Sequence, residues 1–233
     1  MPSTIPILRE RRKRRIAKQH KQEARTRNTL LSLGMILSLI TAALIIVGAF
    51  SYVDLTRDLP STQLLPALLN PPDGLLLQPT QILDRTREHV LLTFAPNKSP
   101  RRYIPLSETN PQHLPKSLAD AVIAASEPNF WLHPGYDLTT LTNYQLHPTI
   151  AQRLVSDLLL FDEPPSLRRA LRERILAAQI TAQFGRTQIL EWYLNSANFG
   201  RYAFGAEAAA QLYFGKSATT LTTAEIRHPC LCE

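Results

Sequence analysis

The sequence predicts a mainly α protein: one membrane-spanning helix, then an outer helical domain that begins with a short β-hairpin. Three observations predict it. Residues 29–52 are 24 positions without a charge, rich in Leu, Ile, Ala and Val. From Leu114 onward apolar residues recur at steps of three and four, the period of a helix buried on one side. After residue 95 no alternating strand pattern and no internal repeat occurs.

The first 28 residues carry ten Lys or Arg (Arg9, Arg11, Arg12, Lys13, Arg14, Arg15, Lys18, Lys21, Arg25 and Arg27) against Glu10 and Glu23. The net charge of +7 therefore belongs to this tail, and the rest of the chain is nearly neutral. A basic nucleic-acid-binding face on the outer domain is not expected. The uncharged run that follows is long enough to cross a hydrocarbon core of about 30 Å at about 1.5 Å per residue. Positive charge on its N-terminal side places that end in the cytoplasm and the remainder outside. A cleaved signal peptide, with Val47-Gly48-Ala49 as a small-residue site, and a buried core helix are the alternatives; the run is longer than a usual signal core. The two cysteines, Cys230 and Cys232, make no disulfide framework, and with only Leu231 between them they do not read as a metal pair.

Residues 53–74 read as a linker, with Leu59-Pro60, Pro66 and Asn70-Pro71-Pro72-Asp73-Gly74. Residues 75–113 hold a hairpin and a connector: Gln81–Arg85 and His89–Phe94 are the strands, about the polar turn Thr86-Arg87-Glu88. Residues 114–225 form the helical domain. Leu118, Val122 and Ala125 mark its first helix. A second helix runs from Thr149 to Leu160. Pro164-Pro165-Ser166 supplies a stop and a fresh N-cap, after which Leu167, Leu171, Ile175 and Ala178 share a face. Gly185 is placed to end that helix, Thr187–Asn195 make another, and Ala206–Leu212 one more.

The run Ile189-Leu190-Glu191-Trp192-Tyr193-Leu194-Asn195, followed by Phe199-Gly200, Gly205–Ala210 and Tyr213–Lys216, resembles the C-terminal half of the peptidoglycan glycosyltransferase domain (glycosyltransferase family 51). That domain belongs to class A penicillin-binding proteins and monofunctional transglycosylases. The resemblance reaches back to about Leu75. It implies a lysozyme-like helical fold and polymerisation of lipid II into glycan strands, with inversion and release of undecaprenyl pyrophosphate. Such a reaction needs a base for the acceptor hydroxyl and positive charge for the departing pyrophosphate. It also implies Mg or Mn as cofactor, although no metal site is visible in the residues.

Motif by motif, the family's Glu-Asp-x-x-Phe-x-x-His-x-Gly corresponds to Ser126-Glu127-Pro128-Asn129-Phe130-Trp131-Leu132-His133-Pro134-Gly135. This register puts Ser126 at the catalytic Glu position and Glu127 at the neighbouring Asp. Two readings stay open: Glu127 is a displaced base, or the site is inactive. Within an ideal helix a one-residue shift turns a side chain by about 100°, which a helix end would relax. The family's second motif, Gly-x-Ser-Thr-Ile-Thr-Gln-Gln-Leu-Val-Lys-Asn, corresponds to the stretch ending His147-Pro148-Thr149-Ile150-Ala151-Gln152-Arg153-Leu154-Val155-Ser156-Asp157. Here Thr149 and Gln152 agree, Ser156 replaces Lys, and Arg153 is a substitute phosphate partner. Arg169-Ala170-Leu171-Arg172-Glu173 matches Arg-Lys-x-x-Glu. Arg169 and Glu173 lie four apart and are able to pair; taken alone they would be a surface ion pair, and the resemblance makes Glu173 a donor-site support.

The candidate catalytic residues are thus Glu127 and Glu173. The candidate substrate-binding residues are His133, Thr149, Gln152, Arg153, Arg169 and Asn195, the last with a structural, turn-capping alternative. Lipid II, the growing glycan strand and the inner membrane are the expected partners, with a transpeptidase as a further candidate. At residues 226–233 the text departs from the family, which suggests an interrupted reading frame. A catalytically impaired lipid II-binding member or gene remnant, and a membrane-tethered muramidase-like hydrolase, are the other readings.

Overall fold

The computed structural model describes residues 5–72, 74–78, 80–94 and 102–226. The tail beyond Ile226, with Cys230 and Cys232, lies outside them, as do residues 1–4. The chain divides into two compact units, residues 1–57 and 58–233.

The first unit is a single helix, α1 (Ile5–Thr56). Within its stretch Leu31–Thr56, 26 residues long, the most apolar 18-residue window has a mean hydropathy of 2.5, and none of that window is buried within the protein. By length and composition this helix is long and apolar enough to cross a membrane. The Ser38, Thr41 and Thr56 hydroxyls in it donate to carbonyls three or four residues back, so these three need no water.

The second unit opens with α2 (Leu64–Leu69), inside the segment read as a linker. Leu65 and Leu69 are fully buried, four apart on one face. Pro66 does not break so short a helix because it sits in the first turn, where an amide has no helical acceptor. Strands β1 (Thr80–Leu83) and β2 (Val90–Phe94) pair antiparallel, Thr80 opposite Phe94 and Ile82 opposite Leu92. The expected hairpin forms without a glycine because Arg87 takes a left-handed φ of 64°. The Asp84 carboxylate closes the turn by accepting from the Thr86 hydroxyl and the Glu88 amide.

The helical body follows as α3 (Lys116–Ser126), α4 (Ile150–Leu158), α5 (Leu167–Ser196), α6 (Ala206–Phe214) and α7 (Thr223–Ile226). The core is a single cluster to which α2 to α7 all contribute, with Leu118, Ile150, Leu154, Leu176, Ile180, Ile189 and Leu194 fully covered. Thr149 and Ser166 cap α4 and α5, each hydroxyl accepting the amide three residues on, worth about 1 kcal/mol apiece. Gly185 was expected to end a helix. It does so with φ 77° and ψ 163°, but the next helical turn starts at once, so α5 is two helices joined at a kink.

The Leu-Glu-Trp-Tyr-Leu-Asn segment fastens other parts of the unit to α5. Trp192 Nε1 donates to Asn70 Oδ1 at 2.9 Å. Glu191 accepts from the Tyr103 hydroxyl and, at 2.8 Å, from the Leu106 amide. Burial, reinforced by that carboxylate, pushes the Tyr103 phenol far above its ordinary 10.0, so it stays a donor. Asn195 is buried, and it grips both backbone groups of Ile104 as a strand neighbour would: Oδ1 accepts the amide at 2.8 Å and Nδ2 donates to the carbonyl at 3.0 Å. Replacing Asn195 with Ala strands both groups in the core. Each unsatisfied buried group costs about 1–3 kcal/mol. Thermal unfolding of the detergent-solubilised chain should therefore show N195A destabilised by about 2–4 kcal/mol.

A candidate active site at the α3–α4 junction

Helix α3 ends at Ser126, and Glu127 already has non-helical geometry, φ −159° and ψ 79°. The one-residue shift from Ser126 to Glu127 therefore falls at the helix end, where the 100° rotation no longer applies. Glu127 is 6% exposed, yet it lines a cavity of about 350 Å³ with Ser126, Asn129, Tyr136, Asp137, Pro148 and Thr149.

Each oxygen of the Glu127 carboxylate has a donor. Oε2 accepts the Ile150 amide at 2.6 Å, one of the first-turn amides of α4 that lack a helical acceptor. Oε1 meets His133 Nε2. His133 Nδ1 accepts the Gly135 amide at 3.0 Å, which leaves Nε2 as the nitrogen that carries hydrogen in the neutral ring. His133 thus donates to Glu127. Burial pushes the Glu127 carboxyl above its ordinary 4.5; the Ile150 amide, His133 and the charge of Arg153 pull it down without cancelling that effect.

Gly135 fits here because its φ is +97° and a Cβ would lie 2.1 Å from Thr181 Oγ1. Its carbonyl takes the Thr149 hydroxyl at 2.8 Å. Arg186 donates to the Phe130 and His133 carbonyls and holds the same loop against α5.

The second carboxylate, Glu173, is 2% exposed. Oε1 accepts Gln152 Nε2 at 2.7 Å, and Oε2 stands 2.7 Å from His147 Nδ1. Gln152, itself fully buried, accepts the Asp137 amide with its oxygen. One glutamine thereby ties the cavity-lining loop to Glu173. At the loop's rim Asp137 is held below its ordinary 3.8, chiefly by the Thr139 hydroxyl.

Of the sequence-predicted residues, Glu127, His133 and Thr149 come together on the cavity, and Gln152 links them to Glu173. Arg153 is half-buried; Nε donates to the His147 carbonyl and Nη1 to the Tyr193 hydroxyl. Arg169 is 9% exposed, donating to Ser156 Oγ and the Leu160 carbonyl. Arg169 and Glu173 are therefore no surface ion pair, and each is bonded to other groups. Asn195 is committed to Ile104, its structural alternative. Three lining or contacting residues were not singled out by motif: Tyr136, Asp137 and His147. His147 had a signal, an imidazole directly before the Pro148-Thr149 cap of a motif helix.

The donor set does not suit a protein-caged divalent cation. Among the described residues no three His, Cys, Asp or Glu side chains converge, and the oxygens of Glu127 and Glu173 already face nitrogen atoms.

Glu127→Gln supplies one acceptor where two donors converge, so an N–H must face either the Ile150 amide or His133. Because burial raises the folded-state value, ionisation of Glu127 removes stability as pH rises from 4.5 through that raised value. Melting curves at acid and neutral pH should show this loss in the native protein and its absence in E127Q.

The chain is also similar to known proteins. A family model described as Transglycosylase matches residues 88–228, more than half of the chain. Penicillin-binding protein 1A of Rickettsia felis is 41% identical over 139 residues, 54% of this chain and 17% of that protein. Penicillin-binding protein 1A of Aquifex aeolicus is 37% identical over 123 residues, 48% and 17% respectively. Penicillin-binding protein 2D of Bacillus subtilis is 32% identical over 136 residues, 54% and 19%. The chain spans less than a fifth of the length of these relatives.

Proposed function

The chain belongs to the transglycosylase family, and from that premise we propose that it is a membrane-anchored peptidoglycan glycosyltransferase with Glu127 as its base. The observation that carries this reading is a buried, cavity-lining carboxylate whose basicity is raised at the end of α3. A base works best when its pKa approaches the operating pH. Each oxygen of Glu127 accepts one hydrogen bond and keeps a second lone pair for a substrate proton.

In this reading lipid II lies in the cavity with its acceptor hydroxyl at Glu127. The base takes that proton as the oxygen attacks the anomeric carbon of the growing strand from the face opposite the leaving group. The C–O bond to undecaprenyl pyrophosphate breaks, and the centre inverts. The pyrophosphate leaves with the electron pair. Arg153, whose charge is felt at Glu127, is the nearer cation for it. Arg169, buried on Ser156, acts at one remove. Glu173 supports the donor side through Gln152. Among the described residues no three His, Cys, Asp or Glu side chains converge to cage the expected Mg or Mn, and no step above depends on it.

The basic N-terminal segment faces the cytoplasm in this reading, and α1 crosses the inner membrane. The second unit works outside, where lipid II is presented, and a transpeptidase is the expected partner for the strands.

The test incubates full-length protein in detergent with labelled lipid II. Strand formation should fall by at least about 100-fold in Glu127→Gln, the usual scale for losing a general base, while Ser126→Ala keeps it. Strands made only by Ser126→Glu would overturn the assignment of the base. Folded protein that binds lipid II and makes no strands would leave recognition as its role.

A further inference from the structure

Four polar side chains in and next to α4 and α5 stand in a row that no motif announces. Its order can be worked out one hydrogen at a time. Glu173 Oε2 lies 2.7 Å from His147 Nδ1. An ionised carboxylate only accepts, so Nδ1 carries the hydrogen. In the neutral ring Nε2 is then an acceptor, and it stands 3.3 Å from Ser156 Oγ. Ser156 Oγ in turn accepts Arg169 Nη2 at 2.8 Å, which leaves its own hydrogen for Nε2. The bonds all point one way, from Arg169 through Ser156 and His147 to Glu173.

Arg169 and Glu173 are one helical turn apart on α5, and this row joins the positive charge to the negative one without their touching. The Arg153 Nε–H bond to the His147 carbonyl, 3.0 Å, fixes the backbone from which the ring projects. The order serine, histidine, glutamate is that of a nucleophilic triad. Ser156, however, is only 4% exposed and is not among the residues lining the cavity, so no substrate carbonyl reaches its oxygen. The row ends instead on Glu173, which Gln152 ties to the cavity-lining loop.

We propose that His147 is a positioning residue of this site: it joins the Arg169 charge, through the Ser156 hydroxyl, to the Glu173 carboxylate and holds that carboxylate in place. Its effect on rate rests on the glycosyltransferase reading above; the order of the hydrogen bonds does not. A positioning error of about 1 Å at a reacting centre costs on the order of 100-fold in rate, which sets the scale of the expected effect.

Two measurements on the full chain in detergent test it. The first is ¹⁵N NMR of imidazole-labelled protein at neutral pH, with the His147 signals identified by their loss in His147→Asn. The proposal requires hydrogen on Nδ1 and none on Nε2, with Ser156→Ala disturbing the Nε2 signal. A ring protonated at Nε2 alone overturns it, whether or not the protein makes glycan. The second is steady-state strand formation. Asn offers an amide N–H in the direction of Nδ1, so His147→Asn should keep kcat within about fivefold. His147→Phe, which keeps ring shape and loses the donor, should lower kcat by on the order of 100-fold with little change in KM. Wild-type kcat in His147→Phe overturns the proposal. A native protein that makes no strands at all counts against the glycosyltransferase reading, and the NMR result then decides the proposal by itself.

Discussion

The Glu127 carboxylate, buried where α3 ends and α4 begins, is the constraint on which the site depends. Removing a carboxylate from water costs several kcal/mol unless donors replace the lost hydration. Those donors come from two other places in the chain, the Ile150 amide and His133. The end of α3, the loop through Gly135 and the start of α4 must therefore meet at one point. Once they do, Thr149 can bond the Gly135 carbonyl and Gln152 the Asp137 amide. A loop with no strand or helix of its own thus becomes a wall of the cavity.

Helix α5 supplies the second support, and it does so with arginines. Arg169, Arg172, Arg174 and Arg186 reach the carbonyls of Leu160, Asp58, Asp137 and His133 respectively. Irregular backbone near a core leaves carbonyls that must find partners. A planar guanidinium on a long stem can reach them from a rigid helix. Four of the five arginines on α5 are thus spent on backbone carbonyls. Arg153 of α4, half-buried, is the cation proposed to act toward the pyrophosphate.

Much of the fold was legible because it follows from local chemistry. The long apolar helix, the caps at Thr149 and Ser166 and the break at Gly185 all lie in short windows of sequence. The linker reading of 53–74 missed α2 because prolines and a six-residue length hide a periodicity carried by only Leu65 and Leu69. The hairpin was harder to see because Arg87 does what a glycine usually does. In the site, Phe130, His133 and Gly135 were readable from their spacing. The row from Arg169 to Glu173 was not. It depends on a loop bringing His147 beside α5, and residue spacing says nothing about that. Ser156 looked in the sequence like a lost lysine; in the structure it passes on the hydrogen bond of an arginine.

The central claim, that Glu127 is the base, is tested most directly by the pH dependence of kcat/KM for strand formation. That profile reports the free enzyme's essential groups. The account predicts an acid limb lying above the ordinary glutamate value, because burial raises Glu127, and a limb that moves in Glu127→Asp. An acid limb at the ordinary value, unmoved by that substitution, would contradict it.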